Sequence, residues 1–165
     1  MNIPLWTSFD KGNLAEAKII AACLANHWLV SIPFGTGCSY DIIIDTRSRL
    51  LRCQIKTATL RGNGTIYFNL RSNVGRTIAP GKRIVSRDYK GLIDVFGVYS
   101  PDLDQCFIVP VEETGKSRKY LRVEPMKDSS NVRNCMRVVM AERYLISDKV
   151  QPWSASTCRR RLLWL

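Results

Sequence analysis

Residues 11–28 are rich in Ala, Leu and Ile, with an unbroken apolar run over residues 19–25, and no Gly or Pro follows Gly12. This composition predicts an α-helix. Glu16 lies four residues before Ile20 and therefore on an apolar side of that helix, which is unusual for a carboxylate. A first-turn glutamate favoured by the helix dipole would produce the same pattern. The spacing gives the helix two apolar faces, one of Leu14, Ala17, Ala21, Leu24 and Trp28 and one of Ile20 and Cys23.

Shorter apolar runs in the middle of the chain predict a β-sheet. The runs at residues 40–45 and 50–57 are separated by the polar residues 46–49, which predicts a hairpin. A second helix is predicted at residues 131–146, where apolar side chains recur at helical spacing. The order helix, strands, helix predicts one α/β or α+β domain over residues 1–165. Further strands are predicted at residues 29–34, 65–71, 92–99 and 105–111.

The charge of the chain narrows the choice of partner. Lys and Arg number 25 against 14 Asp and Glu, so the net charge is +11. Such an excess favours polyanions, chiefly nucleic acid, and less often an anionic membrane surface. Because no apolar run reaches the roughly 18 residues of a membrane span, we expect no membrane partner.

The cysteines and the single histidine exclude several kinds of site. No two of the six cysteines are closer than 15 residues, so the sequence has no Cys-x-x-Cys zinc pair. Three of them lie in apolar or strand-like runs, as buried free thiols do, and we therefore expect a reducing, cytoplasmic location. Since His27 is the only histidine, mechanisms that need several imidazoles, such as those of zinc hydrolases, are disfavoured.

Two polar regions are candidates for contacts with phosphates or with other subunits. Residues 72–91 are basic and show no periodicity, so we predict a long loop, and long loops inside compact domains are usually functional. A solvated loop would have a similar composition. The segment from about residue 147 onward ends in arginines and tryptophans, and we expect it to serve oligomerisation or DNA contact. The candidate phosphate-binding side chains are Arg71, Arg76, Lys82, Arg83 and Arg87.

The predicted hairpin carries the most informative pattern. If Arg47 and Ser48 form a two-residue turn, counting outward along both strands places Asp41 opposite Gln54. Cross-strand partners point to the same side of a sheet, and Lys56, two residues beyond Gln54, shares that side. The sequence therefore predicts a cluster of three polar side chains. The opposite side carries Ile42, Ile44, Cys53 and Ile55.

This cluster is suited to a metal ion and a phosphate. The Asp41 carboxylate, the Gln54 side-chain carbonyl and the Ile55 backbone carbonyl are hard oxygen donors of the kind that Mg²⁺ prefers. Glu16 would add a carboxylate if the helix packs beside the hairpin. A metal ion there would stabilise charge on a phosphate and generate a nucleophile, and Lys56 would polarise the attacking water. An edge hairpin with solvated polar side chains would show the same letters.

The same residues resemble a known nuclease motif. Asp41 followed by Gln54-x-Lys56 resembles the motif of PD-(D/E)xK nucleases in its Gln-x-Lys form, and Lys11-Gly12-x-x-x-Glu16 resembles their first helix. More narrowly, roughly the first 110 residues resemble the small group I intron-encoded homing endonucleases of this superfamily. Tyr40 replaces the proline of the motif, and Gln54 replaces its usual acidic ligand.

The resemblance implies a fold, an activity and an assembly. The fold would be α/β (α+β), with a central mixed β-sheet and flanking helices. The activity would be Mg²⁺-dependent endonucleolytic hydrolysis of double-stranded DNA by a sequence-specific homing enzyme, and the protein would be a homo-oligomer, a dimer or tetramer, because one active site cuts one strand. A catalytically silent nucleic-acid-binding protein, and a Holliday junction resolvase or restriction-type nuclease on the same core, stay open as alternatives. The implied catalytic residues are Glu16, Asp41, Gln54 and Lys56. The implied metal ligands are Glu16, Asp41, Gln54 and Ile55.

Overall fold

The computed structural model describes residues 6–35, 37–73, 86–125 and 138–146. Within them the chain forms one α-helix and short to medium strands. Two single turns of 3₁₀-helix are present at Val111–Glu113 and Ala141–Tyr144. The elements are α1 (Ser8–Ala25), β1 (Leu29–Ser31), β2 (Ile42–Asp45), β3 (Leu50–Thr57), β4 (Thr59–Arg61), β5 (Thr65–Asn69), β6 (Ser72–Asn73), β7 (Ser86–Arg87), β8 (Val95–Ser100), β9 (Gln105–Pro110), β10 (Arg118–Arg122) and β11 (Leu145–Ile146).

Helix α1 begins before the predicted residue 11 because of a capping box. The Thr7 hydroxyl accepts a hydrogen bond from the Asp10 backbone N–H at 3.2 Å, and the Asp10 carboxylate accepts one from the Thr7 backbone N–H at 2.8 Å. These bonds satisfy amide groups that the first helical turn leaves without a partner. The helix ends at Ala25, since His27 adopts a left-handed conformation with φ 61°. Trp28 therefore lies outside the helix.

Only part of the apolar surface of α1 is buried. Ala17, Ala21 and Leu24 are exposed, whereas Leu14, Ile20 and Trp28 pack against the core as partly buried side chains. Because the helix has more than one apolar face, periodicity alone does not identify the buried side. The buried face contains two alanines, whose small side chains allow α1 to approach the sheet closely. The buried residues are Ala15, Ile19, Ala22 and Cys23.

The central sheet has six strands in the order β1-β2-β3-β8-β9-β11. Only the β3–β8 pair among them is parallel, so the sheet is mixed and the predicted α+β class with a central mixed sheet is confirmed. The β2–β3 hairpin has the predicted register, with Ile42 opposite Cys53. The Asp94 carboxylate accepts hydrogen bonds from the Arg52 backbone N–H at 2.8 Å and from its guanidinium at 2.9 and 3.0 Å. This bidentate pair fixes the start of β3 against β8.

A second sheet, in the order β10-β5-β4, was not predicted in this form. Its inner face packs on the side of the central sheet that α1 leaves open, and Phe68 meets Phe96 there with ring centroids 5.8 Å apart. The protein thus has two apolar cores, one on each face of the central sheet. Of the three strands, only β5 was expected from the sequence, because β4 has three residues and β10 carries mostly basic ones.

The predicted second helix is wrong for the part that the structure describes. Residues 131–137 lie outside the described ranges, and residues 138–146 contain a 3₁₀ turn followed by β11. Ala141 and Tyr144 are both buried, and a spacing of three residues suits a 3₁₀ turn as well as an α-helix. Strand β11 then joins the edge of the central sheet, where Ile146 pairs with Cys106 of β9.

Other predicted segments are covered only in part. The expected loop 72–91 contains the paired strands β6 and β7, and residues 74–85 lie outside the described ranges, as does the segment from residue 147 onward. In the described residues, no helix is both long and apolar enough to cross a membrane.

Gly97 allows α1 to pack closely on the sheet, and replacing it tests that packing. A Cβ atom at this position would lie 2.9 Å from the Cys53 sulfur and 3.1 Å from Ile19 Cγ2, both fully buried. We expect Gly97→Ala to lower the free energy of unfolding by about 1–3 kcal/mol, measured by urea denaturation. The control Gly12→Ala has no heavy atom within 4 Å of the new Cβ and should instead raise it by about 0.5–1 kcal/mol. Equal effects would contradict the packing argument.

Candidate active site

Asp41 and Gln54 meet at the open end of the β2–β3 hairpin. The Asp41 backbone N–H donates to the Cys53 carbonyl at 2.9 Å, which continues the hairpin ladder one residue beyond β2. The Gln54 side-chain Nε2 donates to Asp41 Oδ2 at 2.5 Å. Cys53 and Ile55 are buried on the opposite side of β3, against α1. The structure therefore brings together the two polar residues that the hairpin pattern placed opposite each other.

The Asp41 carboxylate is held by the backbone as well as by Gln54. The Ile55 N–H donates to the same oxygen, Oδ2, at 2.7 Å, so neither donor uses Oδ1. Burial raises the pKa of Asp41 above its ordinary value, and the Ile55 N–H, the Lys56 charge and the Gln54 amide act against this rise. Asp41 is thus a partly desolvated carboxylate with one oxygen fixed in place.

Helix α1 brings Glu16 to the same end of the hairpin. The Thr57 hydroxyl donates to the Lys11 carbonyl at 3.5 Å, which joins the first turns of the helix to the end of β3. The Glu16 side chain is exposed at the surface, and its partial desolvation and, secondarily, the negative charge of Asp41 raise its pKa. Because the helix begins at Ser8, Glu16 lies about two turns into it, and the alternative of a first-turn glutamate is wrong.

Lys56 lies against Tyr89, a residue that the sequence pattern did not single out. The Lys56 ammonium is 3.4 Å from the Tyr89 hydroxyl and 5.0 Å from its ring centroid. Tyr89 is buried and packs edge-on against Phe96, with centroids 5.6 Å apart. A buried aromatic ring therefore supports the ammonium beside Asp41. No local signal marked Tyr89, because it lies in the segment predicted as a loop.

The residues present suit a hard divalent cation. Within the described ranges, no three His, Cys, Asp or Glu side chains form a cluster that could hold a metal ion. The carboxylate ligands of a cation at this site would therefore be limited to two, those of Glu16 and Asp41. The neutral oxygens of the Gln54 amide and the Ile55 carbonyl would complete the protein ligands. All four are oxygen donors, which fits Mg²⁺ and disfavours a softer metal.

The predicted phosphate-binding residues are described only in part. Arg71 is exposed, and its Nε donates to the Lys116 carbonyl at 3.0 Å. Arg87 lies on β7, where its backbone pairs with that of Ser72, and its side chain is outside the described set. Arg76, Lys82 and Arg83 lie outside the described ranges, so their role stays a prediction.

Comparisons with known proteins point to one group. A sequence model of the PD-(D/E)XK endonuclease family matches residues 7–144. The structure of the bacterial homing endonuclease I-Ssp6803I is similar, with a TM-score of 0.54 and 21% sequence identity, over 75% of this chain and 81% of that chain. At this identity the likeness shows the fold alone. No curated protein matches the chain.

The raised pKa values of Glu16 and Asp41 have a defined consequence for stability. A carboxyl whose pKa is higher in the folded than in the unfolded protein keeps its proton longer in the folded state as the pH rises. Each group therefore lowers the stability as the pH rises from its ordinary pKa to its raised one. A bound cation would offset this loss, which is typical of a site built for a positive ligand.

The coupling of the two carboxylates can be measured directly. We expect Asp41→Asn to lower the pKa of Glu16 toward its ordinary value, because the negative charge beside it is removed while partial desolvation remains. Carbon-13 NMR of the Glu16 carboxyl over a pH series provides the measurement. Asp45→Asn, at the far end of β2, is the matched control and should leave the Glu16 titration unchanged. Equal titrations in wild type and Asp41→Asn would show that the carboxylates do not interact.

Proposed function

Since the chain belongs to the PD-(D/E)XK endonuclease family, we propose that it is a Mg²⁺-dependent endonuclease that hydrolyses phosphodiester bonds in double-stranded DNA. The observation that carries this proposal is the Asp41 carboxylate, fixed by the Ile55 N–H and the Gln54 amide next to Lys56 and Glu16. We further propose that it is a sequence-specific homing endonuclease, supported by the likeness of its fold to a bacterial homing endonuclease.

Each residue of the site has a separate role in this proposal. Asp41, Glu16, the Gln54 amide oxygen and the Ile55 carbonyl would hold Mg²⁺. The cation, when bound, would stabilise negative charge on a phosphate oxygen and lower the pKa of a water bound to it. The Lys56 ammonium donates a hydrogen bond to the phosphate or to the attacking water, and its positive charge also favours the ionised form of Asp41. Tyr89 holds the ammonium in position.

A catalytically silent DNA-binding protein is the main competing function. Positive charge alone would suffice for such a protein, and the chain has a net charge of +11. Two interacting carboxylates next to the bound phosphates would weaken binding by repulsion unless a cation lies between them. The coupling of Glu16 with Asp41 therefore favours the nuclease over the silent binder. A junction resolvase or restriction-type nuclease would differ in its DNA substrate rather than in this site.

Cleavage of both DNA strands requires two active sites, and each chain offers one. We therefore propose that the protein is a homo-oligomer, a dimer or tetramer. Analytical ultracentrifugation would measure the mass of this assembly. Exposed apolar side chains support self-association, namely those of Leu29, Ile32 and Leu50. Leu29 and Leu50 lie on either side of Asp45 at one end of the sheet, because both pair with it. Such exposed apolar groups are typical of interfaces.

We also propose that residues 1–165 act as one nuclease domain in a reducing cytoplasm, with the segment from residue 147 onward used in assembly or DNA contact. The free thiols support this compartment. Cys23 and Cys53 are buried without a disulfide, and Cys38 is an exposed free thiol. Free thiols persist where the surroundings keep them reduced.

The role of Lys56 is tested by comparing cleavage with binding. We expect Lys56→Ala to lower the cleavage rate at saturating plasmid DNA by about 10²–10⁴-fold, because the group that assists the attacking water is lost. DNA binding in EDTA should stay almost normal. Lys90→Ala removes the same charge from an exposed lysine and should leave the rate at saturation unchanged. A Lys56→Ala protein that cleaves at the wild-type rate would remove Lys56 from the chemistry.

The role of Gln54 is tested by titration with Mg²⁺. If its amide oxygen binds the cation, Gln54→Glu should tighten Mg²⁺ binding and Gln54→Leu should weaken it, as measured by calorimetry and by the Mg²⁺ dependence of cleavage. Wild-type cleavage should need millimolar Mg²⁺, because one ligand is uncharged. If Gln54 only pairs with Asp41 across the hairpin, Gln54→Leu would change stability by about 1 kcal/mol and leave the Mg²⁺ titration unchanged.

A further inference from the structure

The second sheet presents two arginines and two tyrosines on one side. We call this surface the arginine–tyrosine face, and its members lie on β4, β5 and β10. Tyr67 on β5 pairs with Tyr120 on β10 and with Thr59 on β4, so alternation along the strands places their side chains on one face. The opposite side carries the buried Ile66, Phe68 and Leu121. The members of the face are Arg61, Tyr67, Arg118 and Tyr120.

The tyrosine rings hold both arginines in place. Tyr67 and Tyr120 stack with centroids 5.8 Å apart and an interplanar angle of 30°. The Arg61 guanidinium carbon lies 5.0 Å from the Tyr67 centroid and 5.6 Å from the Tyr120 centroid, and that of Arg118 lies 5.4 Å from Tyr67. Stacking uses the flat face of a guanidinium and leaves its N–H groups, which point outward in its plane, available as donors.

The two exposed arginines of this face have no acidic partner within the described ranges. The strands β4, β5 and β10 contain no Asp or Glu, and of their four basic residues Arg61 and Arg118 lie on this face and are exposed. The Arg118 Nε donates to the neutral Asn69 side-chain oxygen at 3.2 Å, which leaves its charge uncompensated. A surface of this kind complements a polyanion.

The face is rigidly joined to the candidate active site. Lys56 and Arg61 are five residues apart along β3 and β4, so their Cα atoms are at most about 18 Å apart. The connecting residue, Ala58, is buried, and its N–H donates to the Tyr99 carbonyl at 2.8 Å. The Leu60 N–H donates to the Asp102 carboxylate at 3.0 Å, which ties β4 to the β8–β9 turn. The major groove of B-DNA is about 12 Å wide, so two places at this separation lie within the reach of one duplex.

We propose that the arginine–tyrosine face binds the phosphate backbone of duplex DNA next to the phosphate that is cleaved. This inference rests on the proposed function and adds the surface on which the substrate lies. Planar, pre-oriented guanidinium groups match phosphate oxygens in a bidentate manner. Single-stranded DNA is a poorer fit, because base stacking needs open aromatic faces and both tyrosines are already covered by arginine and by each other.

The salt dependence of binding tests this surface. In EDTA, where cleavage does not interfere, we expect Arg61→Gln and Arg118→Gln each to lower the slope of log K against log salt by about one, and the double variant by about two. Arg49→Gln removes the same charge at the hairpin turn, seven residues before Lys56, and should leave the slope unchanged.

A substitution of Tyr67 separates the pre-orientation of the arginines from their charge. Tyr67→Leu keeps every charge, so the salt slope should remain, while the affinity should fall about three- to tenfold because Arg118 loses its ring contact and Arg61 loses the nearer of its two. Circular dichroism confirms that each variant is folded. A wild-type slope and affinity in the double arginine variant would overturn the proposal even if the enzyme cleaves DNA. Reduced slopes in a protein that does not cleave DNA would support this face while contradicting the proposed nuclease.

Discussion

The register of strand β3 is the constraint on which the rest of the structure depends. Its alternate side chains have opposite surroundings, since Cys53 and Ile55 are buried against α1 whereas Gln54 and Lys56 face the candidate site. A slip by one residue would bury the polar pair in an apolar core and move the apolar pair out of it. The antiparallel hairpin on one edge, and the parallel pairing with β8 pinned by Arg52 and Asp94 on the other, exclude that slip.

Local patterns predicted the parts of the fold that depend on neighbouring residues. The hairpin register followed from the polar turn between two apolar runs, and with it the contact of Asp41 and Gln54. The buried face of α1 did not follow, because the helix has more than one apolar face and its contact with the sheet, not its periodicity, selects the buried one. The parallel pairing of β3 with β8 and the pairing of β5 with β10 join residues far apart in the chain, and no local signal encodes them. Tyr89 and the arginine–tyrosine face escaped notice for that reason.

The candidate site combines groups that oppose one another in the absence of a ligand. Asp41 is partly buried, Glu16 lies close enough for their charges to interact, and Lys56 compensates only in part. A protein selected for stability alone would replace such a group with an apolar residue. The same opposition favours the binding of a cation, because the cation removes the repulsion and restores the charge balance at once.

The buried link at Ala58 also limits how this protein can diversify. Ala58 joins the strand that carries Lys56 to the strand that carries Arg61, and both strands obey a period of two residues. Inserting or deleting one residue there would exchange the orientations of Leu60 and Arg61, turning an apolar side chain toward the outer surface and an arginine toward the core. Side-chain exchanges on β4, β5 and β10 leave this alternation intact, whereas a change in the length of the link does not.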